Sequence, residues 1–297
     1  MTRRLRLLAP AKINWTLEVL RKRPDGYHEV RSVLQTIDLC DIVTLRDADD
    51  VELALSGDAG PLADEPPERN LAVRAAQALR ARTGTTRGVR IEIEKHVPVA
   101  AGLGGGSSDA AAVIRGCNVL WDTHQDDLNL IEIAGEIGSD PPFFIVGGTA
   151  SVSGRGEIVS PLSDAAPAAL VLATPREHHR GEKTAAMYGA LTPSHYTEGV
   201  ATLELEEVVR AGRAINDAEL ANVFEHVASA LQETARAMAA LRDAGLTPHL
   251  VGSGPSFCIL ASQREDKQLA ERISSLGFSP LFVGTLPRAN ALRIEEL

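Results

Sequence analysis

The stretch from Pro98 to Val113, PVAAGLGGGSSDAAAV, sets four glycines and two serines directly in front of an alanine-rich run. Backbone N–H groups at a helix start bind anions with the helix dipole behind them, and glycines let a phosphate oxygen approach without obstruction by Cβ. Ser107 and Ser108 add hydroxyl donors. A flexible linker belongs in polar, unpatterned sequence, whereas this loop joins an alternating strand to a helical run, so it reads as a phosphate cradle. Two familiar templates fail residue by residue. A Walker loop needs Lys and then Ser or Thr after its last glycine, and a dinucleotide fingerprint starting at Gly102 needs glycine at position 107. Serines stand at 107 and 108.

Three other groups of residues could do chemistry. In AKINWTLEV, read at period two, Ile13, Trp15, Leu17 and Val19 share an apolar face and leave Lys12, Asn14, Thr16 and Glu18 on the other. That polar row either lines a cleft or marks an edge strand. Asp140 in GEIGSDPPFF follows a helix stop at Gly138 and precedes Pro141, the pattern of an N-cap with proline at the first helical position. The segment DGYH presents Tyr27 and His28 just beyond a turn, while Tyr188 in EKTAAMYGAL reads as a helix-core aromatic or a stacking surface. His178 and His179 have no third ligand at metal spacing and read as loop residues.

The elements that must position these residues follow from the pattern. From Arg4 to Leu55 the chain reads as successive strands punctuated by RPDGY and LCD. NLAVRAAQALRARTG predicts a helix with Asn70 as its N-cap and Gly84 just past its end. In the strand GVRIEIEKH an apolar row ends in Lys95, at the rim of the core where the glycine loop begins. Ser107 to Trp121 and DLNLIEIAGEIG predict helices, and GGTASVSGRGEIV returns to strand. Beyond residue 157 strands (AALVLATP, PHLVGSG, SFCILAS, PLFVGTLP) alternate with helical stretches at Leu220–Ala244 and Glu265–Leu276. This alternation predicts an α+β protein of two domains, 1–157 and 158–297, the second a sandwich with helices on one sheet face. The acidic end RIEEL is expected to pack on the first domain or hang loose.

With 297 residues, 44% of them hydrophobic, the chain can bury a sizeable core. No run approaches the roughly 18 apolar residues a membrane span requires, and the basic start lacks a signal peptide's features, which predicts a cytoplasmic protein with no membrane partner. Three scattered cysteines, Cys40, Cys117 and Cys258, support neither a disulfide framework nor a zinc site. A net charge of −10 argues against general nucleic-acid binding. The first 31 residues carry +5 and the remainder −15, an asymmetry that either draws a small anion or belongs to a solvated hairpin.

The glycine stretch, with LAPAKINWTL near the start and HLVGSGPSFCIL near the end, resembles the GHMP kinases over nearly the whole chain. The segments PAKINWTLEVLRKRPDGYHEVRSVLQTIDLCD, RNLAVRAA and GSDPPFFIVGGTA are similar to the branch that phosphorylates the 2-hydroxyl of a CDP-linked methylerythritol in non-mevalonate isoprenoid synthesis. The resemblance implies an N-terminal ribosomal-protein-S5-like ATP domain and a C-terminal ferredoxin-like α/β sandwich. It makes Lys12 and Asp140 catalytic, and Asn14, Tyr27, His28 and Tyr188 contacts of the CDP-methylerythritol substrate. Lys95, Asn70 and Leu71 would lie near the adenine, with Pro98, Val99, Ala100, Ala101, Gly102, Leu103, Gly104, Gly105, Gly106, Ser107 and Ser108 around the ATP phosphates and their Mg2+. Gly252, Ser253 and Gly254 would approach from the second domain. Ser139 and Pro141 depart from the family's G-A-D-V-P segment around Asp140. A monomer or homodimer acting on small molecules is the expected form.

Overall fold

The computed structural model describes residues 3–176, 183–263 and 265–297, so His178 and His179 lie outside the described residues. Two long strands, β1 (Arg4–Lys22) and β2 (His28–Ala48), form the hairpin that the apolar alternation predicts. RPDGY makes its turn, with Gly26 at φ +89° and Asp25 accepting from the Tyr27 amide. Around them the first sheet takes in β3 (Val51–Gly57), β4 (Gly88–Lys95), β5 (Thr149–Ser153) and β6 (Ile158–Pro161). From the second half of the chain, β8 (Ala221–Asn222) pairs parallel to β1 and β12 (Ile294–Glu296) pairs antiparallel to it. The RIEEL end is therefore a strand on the first sheet. The second sheet has the order β11 (Phe278–Gly284), β7 (Ala169–Pro175), β10 (Phe257–Ala261), β9 (His249–Leu250), all antiparallel, the 4-1-3-2 order of a ferredoxin-like sandwich.

The helices are α1 (Leu71–Thr83), α2 (Gly105–Leu120), α3 (Asp127–Ile137), α4 (Pro141–Val146), α5 (Lys183–Ala190), α6 (Val200–Arg210), α7 (Gln232–Asp243), α8 (Lys267–Ser275) and α9 (Arg288–Ala291). Asn70 caps α1 by accepting from the Ala72 amide at 2.9 Å, and Gly84 ends it at φ +71°. A first core packs α1 to α4 on the first sheet; a second packs Met187, Phe224 and Met238 against the second sheet. A third joins them, with Ile13, Trp15 and Val33 of the hairpin against Leu170, Leu172 and Leu205.

Four expectations about the elements need correction. LCD is not a turn: β2 runs through it, and the pairing slips there, Pro10 facing Cys40 while Lys12 faces Thr36. The extra residues form a bulge that bends the hairpin. Lys12, Asn14, Thr16 and Glu18 are no edge-strand row, because β1 has partners on both sides and all four are buried. The stretch from Leu220 is α-helical only from Gln232, after short 3-10 turns at Val223–Glu225 and Ala228–Ala230. Asn222 claims its start as strand, accepting from the Phe224 amide and donating to the carbonyls of Leu250 and Gly252. Helical composition loses to these long-range bonds. The helix after the glycine loop also begins at Gly105 rather than Ser107.

Helix α2 lies so close to the hairpin that a Cβ added at Gly116 would meet Leu45 Cδ1 at 2.3 Å and Leu7 Cδ1 at 3.0 Å. Both leucines are fully buried and have nowhere to turn. Gly116→Ala should therefore cost about 1–3 kcal/mol of stability by overpacking, read from urea unfolding; an unchanged midpoint would show that the helix can lift off the sheet freely.

Candidate active site

The loop from Val97 to Gly104 is held by Val97, Ala101 and Leu103, which are buried in the third core, and by what grips its two ends. At the first end stands Lys95, buried to 2% exposure rather than placed at a rim. Its ammonium is held by Asp41 of β2 and by Asp109 of α2. The other oxygen of Asp41 accepts from the amides of His96 and Val97, the last at 2.8 Å. At the second end, Leu103 accepts from the Lys12 amide at 2.9 Å, on a stretch of β1 that pairs with β2 but with neither β8 nor β12. Asp41 and Asp109 were not among the residues singled out from sequence; the one signal available was the register-breaking LCD and an aspartate in the first turns of an otherwise alanine-rich helix.

Burial governs the charges here. It pushes the Asp109 carboxyl up to about 7, with Lys95 opposing and Asp41 adding to the rise. For Lys95 burial pulls downward, but Asp109 and Asp41 outweigh it and the net shift is upward. Both directions say that a cluster of one ammonium and two carboxylates, net −1, holds an extra proton more readily than the separated groups would.

A pocket of about 350 Å3 opens over this cluster, lined by Lys95, Asn70, Leu71, Pro98 to Ala101 and Gly102 to Ser107. Gly104 caps α2 at φ +74° and no side chain bonds the first-turn amides, so those N–H groups remain available for an anion. Gly104 has to be glycine: an added Cβ would meet the Phe144 ring at 2.9 Å and Lys12 Cγ at 3.2 Å. Asn70 serves two ends at once, its oxygen used by the cap while the residue lines the pocket. Ser108 departs from expectation. It is buried outside the lining, its hydroxyl without a partner, and only Ser107 faces the pocket.

Gly102 and Gly104 also line a second cavity of about 210 Å3, with Lys12, Asn14, Asp140, Arg155, Tyr188, Gly252 and Ser253. Lys12 donates to Asn14 Oδ1 at 2.8 Å, and Asn14 donates to Ser32 Oγ at 3.0 Å. Burial lowers the Lys12 pKa, with the Asp140 charge pulling it back up across the cavity. The two groups share the cavity without a direct ion pair. Gly252 packs on the lysine, where a Cβ would meet its Nζ at 3.3 Å, and Gly102 packs on the Val251 and Gly254 carbonyls. The GSG turn thus closes the cavity from the second half of the chain.

Asp140 precedes α4 but does not cap it. Pro141 and Pro142 have no N–H, and the Phe143 amide bonds to the Asp140 main-chain carbonyl at 3.1 Å. Nothing at the helix start competes for the carboxylate. The unusual proline at 141 therefore leaves the side chain available to the cavity.

A third, outer cavity of about 730 Å3 shares Asp140, Arg155, Thr184 and Tyr188 with the second and adds Tyr27, His28 and Lys22. Tyr188 stacks on His28 at 5.0 Å and meets Phe224 edge-on at 4.9 Å, so it is both packed aromatic and cavity wall. Burial, then the Asp140 charge, pushes its phenol up to about 12. His28 is shifted downward by burial and then by Lys22, which favours the neutral imidazole with one donor and one acceptor. Much of the basic excess of the opening segment is neutralised locally, as Arg21 and Arg23 pair with Glu29 and Arg3 with Asp122 and Glu296. Among the described residues no helix is long and apolar enough to cross a membrane, and no three His, Cys, Asp or Glu side chains gather into a metal cage.

Residues 70–148, which include the glycine loop and Asp140, match the model of the GHMP kinases N terminal domain. The 4-diphosphocytidyl-2-C-methyl-D-erythritol kinase of Dehalococcoides mccartyi is 37% identical over 95% of this chain and 98% of its own. That of Pelotomaculum thermopropionicum is 41% identical over 89% and 92%. The crystal structure of a 4-(cytidine 5'-diphospho)-2C-methyl-D-erythritol kinase superposes with a TM-score of 0.76 at 30% identity, covering 94% of this chain and 98% of that one. The homoserine kinase of Cytophaga hutchinsonii, at TM-score 0.71 and 18% identity over 99% and 97%, shares the fold. A glycine cradle, a carboxylate kept from its helix and a lysine facing it thus stand on a chain that belongs to the 4-diphosphocytidyl-2-C-methyl-D-erythritol kinases, within the GHMP kinase superfamily.

Proposed function

We propose that the chain transfers the γ-phosphoryl group of MgATP to the 2-hydroxyl of 4-diphosphocytidyl-2-C-methyl-D-erythritol, giving the 2-phosphate and ADP for non-mevalonate isoprenoid synthesis. The observation that carries this reading is the Asp140 carboxylate, unused by α4 and facing Lys12 in a cavity that shares Gly102 and Gly104 with the phosphate pocket. Kinases of this kind work by positioning and electrostatics, because the transferred phosphoryl needs little covalent help. The first-turn amides of α2 and the hydroxyl of Ser107 hold the donor phosphates. Asp140 accepts the proton of the attacking hydroxyl, Lys12 offsets charge on the transferring group, and Asn14 holds Lys12 in place. Mg2+ arrives with the nucleotide as part of the substrate, in keeping with a cation that takes most of its ligands from phosphate and water.

Tyr27, His28 and Tyr188 are assigned to the cytosine: the neutral imidazole reads its edge and the two aromatics offer faces. Lys95 acts by holding the loop, since its ammonium is committed to Asp41 and Asp109. We further propose a cytoplasmic enzyme, monomer or homodimer, without nucleic-acid or membrane partners, organised as parts 1–157 and 158–297, the second also supplying β6, β8 and β12 to the first sheet.

Two measurements test these roles. Initial rates with ATP and a panel of CDP-methylerythritol, homoserine and mevalonate should show turnover on the first; Asp140→Asn should lower kcat roughly 10²- to 10⁴-fold while ADP still binds, and near-normal turnover would remove Asp140 from the reaction. The second concerns pH. Because the Asp109 pKa is raised from 3.8 to about 7, its favourable contribution, full at acid pH, is lost as pH rises through about 7, and the cluster with Lys95 and Asp41 becomes net negative beside the phosphates. KM for ATP should therefore climb above pH 7 in the wild type relative to Asp109→Asn, whose cluster stays neutral; parallel profiles would show that the cluster does not reach the nucleotide.

A further inference from the structure

The glycine turn between β5 and β6 carries a side chain to which no role has yet been given. Gly154 and Gly156 adopt φ +71° and +114°, and the Arg155 amide donates to Glu157 Oε2 at 2.6 Å. Gly154 accepts from the Val30 amide at 2.7 Å, which ties the turn to β2. The backbone of Arg155 is thereby fixed, while its guanidinium is lightly used. It lies over the Tyr27 ring at 5.1 Å from the centroid and makes one long bond, 3.4 Å, to the Gly135 carbonyl. Among the described residues it forms no ion pair.

Its place between cavities gives this position meaning. On the function proposed above, the acceptor's reacting hydroxyl lies beside Asp140 in the inner cavity and its base lies against Tyr27, His28 and Tyr188 in the outer one. The group joining the two ends is a diphosphate, which must pass where the cavities meet. Asp140, Arg155, Thr184 and Tyr188 line both. Lys12 lines only the inner cavity and Lys22 only the outer, so the shared cation is Arg155. A diphosphate brought near the Asp140 carboxylate needs a counter-charge, and a guanidinium is always charged and offers donors in a planar fork suited to two phosphate oxygens.

We propose that Arg155 recognises the diphosphate of the acceptor, and so makes the site specific for a nucleoside-diphosphate-linked alcohol over the bare alcohol or the bare nucleoside. The stacking contact with Tyr27 holds the guanidinium beside the base pocket, so the two parts of the acceptor are read together. The residue selects; Asp140 and Lys12 retain the chemistry.

The test uses the full-length protein with a non-hydrolysable ATP analogue filling the donor pocket, and measures CDP and cytidine binding by calorimetry. Wild type should bind CDP more tightly than cytidine. Arg155→Gln should reduce that preference roughly ten- to hundredfold with cytidine affinity unchanged, and Arg155→Lys should restore part of it. In turnover, KM for CDP-methylerythritol should rise by a similar factor in Arg155→Gln while KM for ATP stays within twofold. An unaltered CDP-to-cytidine ratio overturns the assignment, as does an equal loss of CDP, cytidine and ATP binding, which would mean that the turn had merely come apart. Wild-type failure to phosphorylate CDP-methylerythritol would instead sink the proposed acceptor, and the binding ratio would still decide on Arg155.

Discussion

The structure depends most on the buried ammonium of Lys95 and the two carboxylates that hold it. The loop buries Val97, Ala101 and Leu103 in the third core, but its backbone must still point several amides at one place. Asp41 meets that need twice, neutralising Lys95 and accepting from the amides of residues 96 and 97, while Asp109 draws the first turns of α2 to the same point. Burying three charges is expensive, and an ion cluster of this kind is weak support for stability in general. Its value here is placement. The strand, the loop and the helix meet at one set of bonds, so the phosphate pocket keeps its shape before any ligand arrives.

The second constraint is the polar row of β1. Lys12, Asn14, Thr16 and Glu18 lie inside the protein, and their polar groups are satisfied within β1, by β2 and by the start of α6. Asn14 links Lys12 to Ser32; Thr16 accepts from the Val33 amide; Glu18 accepts from the amide and hydroxyl of Thr202 at the start of α6 and from Thr197. One strand therefore carries Lys12 at one end of the row and anchors a helix of the second half at the other. The bulge at residues 37–39 allows both. Asp41 pairs with Ala9 before it and Lys12 with Thr36 beyond it, and from these positions they bond the two ends of the glycine loop.

Local features of the fold were legible in the sequence for physical reasons. The cap at Asn70, the stop at Gly84, the turn at RPDGY and the helix behind the glycine loop depend on a few neighbouring residues, and residue type alone fixes them. Features decided by distant partners were not. LCD carries turn-like composition, yet β2 continues through it because Cys40 and Asp41 pair with Pro10 and Ala9 of β1. Lys95 ends an apolar row, which suggests a rim, until two aspartates from other elements permit its burial. Leu220 to Gln232 has helical composition but is taken by Asn222 and its bonds to the 250–252 turn. At the site, the pattern marked the loop and the family resemblance marked Lys12 and Asp140; Arg155 was hidden because a lone arginine between glycines has no periodicity and acquires meaning only where two cavities join.

Asp140 shows how local backbone chemistry decides whether a carboxylate is structural or reactive. An aspartate before a helix is ordinarily consumed by the first free amides, and that bond is worth about 1 kcal/mol to the helix. Here the next two residues have no amide hydrogen and the third amide is satisfied by the main-chain carbonyl of Asp140 itself. The helix thus starts without asking anything of the side chain. The same prolines fix the backbone direction on entering α4, so the carboxylate is left unengaged and yet held at the junction of the inner and outer cavities. A single alternating strand brings Lys12 to the inner cavity, and the β5–β6 turn brings Arg155 to the junction itself. The chemistry is therefore placed by three rigid pieces of backbone, and the flexible long side chains have only short distances to cover.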